Sequence, residues 1–133
     1  MSYKDLNVYQ RAYQVAIDLH QFLSSKVNKV VPQSAVDLRL LAREILANIA
    51  DGFYKRTSKA KRFFNFKALD AAHRIILDLE FLHDVKSIPT KEYEHLRDEF
   101  ESCAKQLYKF NESILNKEME GAETGVKPEA VPA

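Results

Sequence analysis

An all-α fold, an antiparallel up-down-up-down four-helix bundle, is what this sequence predicts, and three observations predict it. Apolar residues recur at steps of three and four through four successive segments, which keeps them on one stripe of a helix. No segment alternates apolar and polar residues for any length, as a half-buried strand would. Glycine and proline are scarce, 3 and 4 in 133 residues, and those in the body read as punctuation between segments. Long helices joined by short connections lie antiparallel to their neighbours.

The first helix is expected over 5–25, with Val8, Ala12, Val15, Leu19 and Phe22 turned inward and Asp5 placed to cap its start. Pro32 interrupts the chain. The second helix is expected over 34–55, on Leu38, Ala42, Ile45 and Ile49, with Ser34 and Asp37 as an approximate capping box. Gly52 follows this pattern and reads as a C-cap in the left-handed conformation, with Phe53 as the apolar partner of the cap. The third helix, 58–86, carries Phe64, Ala68, Ala72, Ile75, Leu79 and Leu82 inward. After Pro89 the fourth, 90–118, has the cleanest stripe: Tyr93, Leu96, Phe100, Cys103, Leu107, Phe110 and Ile114. The bundle domain is therefore expected to be 1–118. Residues 119–133, small, polar and proline-bearing, are expected to form a disordered acidic tail.

Two of the stripes are wider than a monomer needs. The first segment adds Tyr9, Tyr13, Ala16, Ile17 and Leu23; the third adds Phe63, Phe66, Leu69, Ile76, Leu77 and Phe81. A helix apolar on more than one face buries a second face somewhere, and self-association is the sharper reading beside a broad core.

Charge is unevenly spread. The chain carries +1 in all, but residues 118–133 carry −3 and the remaining body +4. That is mildly basic. Cys103 is the single cysteine, so no intrachain disulfide forms and a reducing cytoplasm fits. The opening Met1-Ser2-Tyr3-Lys4-Asp5 has no apolar core of a signal peptide. No apolar run is long enough to span a membrane.

The most informative stretch is 52–69. It holds Lys55, Arg56, Lys59, Lys61, Arg62 and Lys67 and no acid, with Phe53, Tyr54, Phe63, Phe64 and Phe66 interleaved. Positive charge beside flat rings suits a nucleic-acid backbone and its bases. The same run also reads as a solvated face and loop whose aromatics serve core or subunit contacts. Phe63, Phe64 and Phe66 span too wide an arc to face one way, so at least one is expected in the core. Arg39 and Arg43, four apart, make a second basic strip on the second helix.

Catalytic and metal chemistry find little support. His20, His73, His83 and His95 form no His-Glu-x-x-His motif and no histidine pair at helical metal spacing. Bundle di-metal sites use Glu-x-x-His motifs on two helices; Glu80 with His83 and Glu92 with His95 are such motifs, but the apolar stripes point other residues inward. No metal and no cofactor are expected. Cys103 lies on the fourth stripe and reads as a buried structural thiol. No glycine-rich phosphate loop and no nucleophile–base arrangement is present, so no catalytic residue is assigned.

Three quoted stretches carry a family resemblance. Tyr3-Lys4-Asp5-Leu6-Asn7-Val8-Tyr9-Gln10-Arg11-Ala12, Ala47-Asn48-Ile49-Ala50-Asp51-Gly52-Phe53 and Lys91-Glu92-Tyr93 resemble the small four-helix-bundle proteins encoded by intervening sequences within bacterial 23S ribosomal RNA genes. The likeness covers about 3–116. It departs at Leu46, where the family has proline, at Asp70-Ala71, where it has Gly-Ser, and at Arg74, where it has glutamate. The accessory proteins of diversity-generating retroelements are more remotely similar. The resemblance implies a ring-forming homo-oligomer, a pentamer, with a basic surface used for nucleic acid, RNA or DNA, and no enzymatic activity. The remoter group adds a reverse transcriptase as a partner.

The expected function is thus a non-enzymatic, homo-oligomeric bundle that binds nucleic acid, foremost structured RNA. Arg39, Arg43, Lys55, Arg56, Lys59, Lys61 and Arg62 are the expected phosphate contacts, with Tyr54 a stacking residue. The alternative is a module whose apolar helix faces dock a protein partner such as a polymerase.

Overall fold

In the computed structural model, which describes residues 1–123, a short 3-10 turn at Tyr3–Asp5 leads into four α-helices: α1 (Asn7–Leu23), α2 (Pro32–Phe53), α3 (Ser58–Asp84) and α4 (Thr90–Glu123). Successive helices pack on one another and α1 closes the ring against α4. The order is therefore that of an antiparallel up-down four-helix bundle, all-α as the periodicity requires. At one end the first connection meets the third, where Lys29 N–H donates to Ser87 O at 2.9 Å. At the other end lie the start of α1, the α2–α3 corner and the later half of α4.

The core follows the stripes. Val8, Ala12, Val15 and Leu19 of α1 are buried with Leu38, Ala42, Ile45 and Ile49 of α2, Ala68, Ala72, Ile75 and Leu79 of α3, and Leu96, Phe100, Cys103 and Leu107 of α4. The departures are shifts of one position along a stripe. Leu23 is buried while Phe22 is half-buried, Phe64 is half-buried beside a buried Asn65, and Asn111 is buried where Phe110 was expected.

The helix starts differ from the expected ones for local reasons. Asp5 does not cap α1. Its carboxylate accepts from Ser2 N–H at 2.8 Å while Ser2 Oγ accepts from Lys4 N–H, so the pair caps the 3-10 turn reciprocally. Helix α2 begins at Pro32 rather than near Ser34. Val31 is extended, and proline at the first helical position loses no hydrogen bond because its missing N–H would have been an orphan. Thr57 caps α3, its Oγ1 accepting from Ala60 N–H at 3.1 Å. Helix α4 runs to Glu123, five residues past the expected boundary at 118. The rest of the expected tail, 124–133, lies outside the described residues.

The larger correction concerns Gly52. It is not a left-handed cap but a buried residue inside α2, which ends at Phe53 with Tyr54 as a right-handed C-cap. A Cβ built on Gly52 would sit 3.2 Å from Phe64 Cβ, 3.4 Å from Lys61 O and 3.5 Å from Asn65 Oδ1. The glycine suits the place because α3 crosses α2 so closely that a Cβ would be tight and anything larger would not fit without displacement.

The left-handed residue is Lys86, at φ 67°. It closes α3: Ser87 N–H donates to Leu82 O at 2.8 Å and Lys86 N–H to His83 O at 2.9 Å, the six-to-one and five-to-two bonds of a Schellman motif. A non-glycine residue costs about 1–2 kcal/mol there, of which glycine's greater freedom when unfolded offsets about 0.4–1 kcal/mol. Lys86→Gly should therefore stabilise the fold by about 0.5–1 kcal/mol, seen as a rise in the midpoint of thermal unfolding followed by circular dichroism. A fall would mean that the lysine side chain contributes more than its backbone costs.

Candidate nucleic-acid interface

The basic segment folds into the corner between α2 and α3, and its cations divide by role. Lys61 Nζ donates to Phe53 O at 3.1 Å, satisfying a carbonyl left orphaned at the end of α2. Lys55 Nζ stands 4.7 Å from the centroid of Phe64, and Lys67 Nζ stands 5.5 Å from both Phe63 and Phe64. Ring faces attract such cations by about 0.5–1 kcal/mol at exposed sites. Arg62 is half-buried, and its backbone carbonyl accepts from Asn111 Nδ2 of α4 at 3.3 Å. Arg56 and Lys59 are exposed. Of the three phenylalanines only Phe64 turns partly inward; Phe63 and Phe66 stay exposed.

Arg39 and Arg43 stand apart from this corner. Arg43 precedes Lys55 by 12 positions, roughly 18 Å along a helix. Arg39 donates to His20 Nδ1 at 3.2 Å and to Ser24 Oγ at 3.1 Å, linking α2 to the end of α1. Both arginines line a groove of about 390 Å³ between α1 and α2, together with Tyr13, Ile17, His20 and Leu46. The seven cations named from the sequence are therefore two groups, not one patch.

What joins the two groups is a run of rings that the basic segment alone does not reveal. Tyr13, in the groove beside Arg39 and Arg43, stacks with Tyr9 at 6.0 Å. Tyr9 meets Tyr3 edge-on at 4.9 Å, and Tyr3 meets Tyr54 edge-on at 6.1 Å. Tyr54, beside Lys55 and Arg56, is 65% exposed and packs its edge on Phe53 at 5.2 Å. Burial, and then the neighbouring Tyr3 and Tyr13, push the Tyr9 hydroxyl above its ordinary value, so it stays protonated. Tyr3 enters the sequence reading only within the opening stretch and the family resemblance, while Tyr9 and Tyr13 enter it also in a wide apolar stripe. Their spacing of four on α1 was the available signal, but nothing in one sequence tells that Tyr3 folds back onto Tyr54.

Helix α4 brings the opposite charge to the same end. Asn111 lies level with Arg62, four residues into α3, so the twelve residues that follow overhang the corner by roughly 12 Å at 1.5 Å per residue. Glu118 and Glu120 lie on that overhang.

Two further sets of side chains stand elsewhere. Cys103 is buried, and burial pushes its thiol up to about 11; a thiol so held stays protonated and unreactive. Asp18 of α1 meets His95 and Glu99 of α4, with one ligating atom from each lying within 4.8 Å of the others. The expectation of no metal-spaced residues weighed histidine pairs and Glu-x-x-His motifs; it passed over His95 and Glu99, which are four apart. Among the described residues, no helix is long and apolar enough to cross a membrane.

No protein of curated function matches the chain. A crystal structure of a protein with unknown function, from the S23 ribosomal protein family of Bacteroides thetaiotaomicron, superposes with a TM-score of 0.70 at 19% identity, over 78% of this chain and 97% of that one. At that identity the likeness speaks for the fold. The sequence model of the 23S rRNA-intervening sequence proteins matches residues 4–109, reaching into all four helices, and the chain belongs to that family.

Proposed function

We propose that this protein is a non-enzymatic, homo-oligomeric nucleic-acid-binding bundle, and that its ligand is a structured RNA presenting unpaired bases. The observation that carries the reading is the tyrosine run from Tyr13 to Tyr54, with a basic group at each end. Exposed rings stack on unpaired bases with little sequence preference, and flanking cations take the phosphates. Paired bases offer no such faces, so a duplex gains only the charge term. Arg43, Lys55, Arg56 and Lys59 are the phosphate contacts in this reading, with Tyr54 and Tyr13 the stacking residues. Lys61 and Arg39 hold local structure first, and Arg62 is half-buried.

Self-association has its own support. Phe63, Phe66, Leu77 and Phe81 are all exposed on α3, from 43% to 64%. At 100° per residue they fall within about 60° of one another, so they form one outer stripe. A second copy of the chain is the occupant we assign to it, and a ring of copies would repeat each weak RNA contact. The same stripe supports the alternative reading, a module that docks a protein such as a reverse transcriptase.

Fluorescence anisotropy separates the readings. The full chain is titrated against a hairpin RNA with a long loop and against a fully paired duplex, over a series of salt concentrations. Binding should favour the looped RNA and weaken steeply with salt. RNA binding that is absent at low salt, or indifferent to salt, would overturn the reading and leave the docking module.

A further inference from the structure

We propose that Asp18, His95 and Glu99 form a binding site for a divalent transition-metal ion of the zinc type, which fastens α1 to α4. The three ligating atoms lie within 4.8 Å of one another and come from two helices. His95 Nε2 stands 3.1 Å from Glu99 Oε1. Ligand bonds of about 2.0–2.1 Å put adjacent donors of a tetrahedral ion roughly 3.3 Å apart, so this pair is already spaced as two of its ligands. Residues four apart on one helix face supply such a pair without any backbone adjustment.

Three features set the cluster apart from a chance meeting of polar groups. Glu99 Oε2 is buried from solvent and receives no hydrogen bond, and a buried acceptor without a donor is costly. Asp18 stands against Glu99 with a second carboxylate, and the two negative charges repel one another. Finally, Gln14 Nε2 donates to Asp18 Oδ1 at 3.0 Å, fixing that carboxylate as second-sphere partners fix metal ligands. A cation placed among the three would cancel the repulsion, and held through both Glu99 oxygens it would also satisfy the orphan.

The donor set selects the class of ion. An imidazole with two carboxylates suits zinc and its neighbours, whereas magnesium and calcium prefer oxygen ligands throughout. His95 is exposed, so the outer side of the site is open to water. Arg11 also acts on Glu99, and its positive charge tempers the affinity for an ion.

The test uses the full chain stripped of metal with a chelator, then titrated with zinc chloride and separately with magnesium chloride. Isothermal calorimetry counts the ions and thermal unfolding reads the stabilisation. One zinc ion per chain should bind and raise the unfolding midpoint, because an ion that binds only the folded state stabilises it; magnesium should do neither. His95→Gln and Glu99→Gln should each weaken zinc binding by about tenfold or more and remove the zinc-dependent shift. Asp18→Asn provides the same reading should Glu99→Gln not fold. Glu99→Gln should not lower the midpoint of the metal-free protein, because it removes one of two facing carboxylates. His73→Gln, on α3 outside the cluster, should keep the full zinc response. Absence of a zinc shift, a shift that survives in both His95→Gln and Glu99→Gln, or an equal response to magnesium would each overturn the site.

Discussion

Replacing Gly52 by valine should destabilise the bundle by about 2–3 kcal/mol, the range for overfilling a packed interior. The cause is the approach of α3 to α2: a Cβ alone would stand 3.2 Å from Phe64 Cβ and 3.4 Å from the Lys61 carbonyl, and valine adds two methyl groups beyond it. Better helix propensity offsets only about 0.4 kcal/mol of this. For a chain of this size the unfolding midpoint should fall by roughly 10 °C. Gly52→Ala tells which physics governs the position. Inside a helix, alanine gains about 1 kcal/mol of propensity, which offsets much of the squeeze, so its midpoint should stay near the parent's. Were the glycine left-handed, alanine would already lose stability. Equal and large losses for alanine and valine would therefore sink the close-approach account. The displaced neighbours, Phe64, Lys61 and Asn65, also arrange the basic corner, so Gly52→Val should disturb RNA binding as well.

Gly52 shows where a single sequence stops being legible. The period of the apolar residues is a property of each helix by itself, and that period correctly announced four helices and most of their buried positions. A glycine after an apolar stripe has two explanations, a left-handed cap or a close crossing, and only the partner helix distinguishes them. Lys86 is the converse case. It takes the left-handed position that glycine would favour, so the end of α3 carried no glycine to mark it. The site divides in the same way. The basic segment and Tyr54 were legible because they are contiguous. The link from Tyr54 through Tyr3 and Tyr9 to Tyr13 joins residues more than 40 positions apart. The meeting of Asp18 with Glu99 likewise exists only once α1 lies against α4. Lys61 shows a related limit: charge in a sequence does not say whether it faces solvent or an orphaned carbonyl.

Removing charge from the corner should have the largest effect on binding. Lys55, Arg56 and Lys59 changed together to glutamine stay polar, and at Lys59 keep helix propensity, but remove three charges per subunit. The choice leaves Lys61 on its carbonyl and the half-buried Arg62 untouched, so the corner keeps its supports. The loss of Lys55 from the face of Phe64 should cost about 0.5–1 kcal/mol of stability. If all three meet phosphates, the slope of log affinity against log salt should flatten by roughly 2–3, at 0.7–0.9 for each contact. Affinity near 0.1 M salt should fall by about 10–100-fold for all RNA sequences alike, because phosphate contacts carry no sequence information. The acidic overhang supplies a test of opposite sign. Glu118 and Glu120 changed to glutamine should tighten binding a few-fold at low salt, since negative charge near the corner repels phosphates over about a Debye length. That gain should fade as salt rises. An RNA affinity untouched by the basic triple, with helicity and oligomer size intact, would remove this corner from the interface. A basic triple that instead dissociates the oligomer would place the corner between subunits, and the α3 stripe would then be left for a different protein.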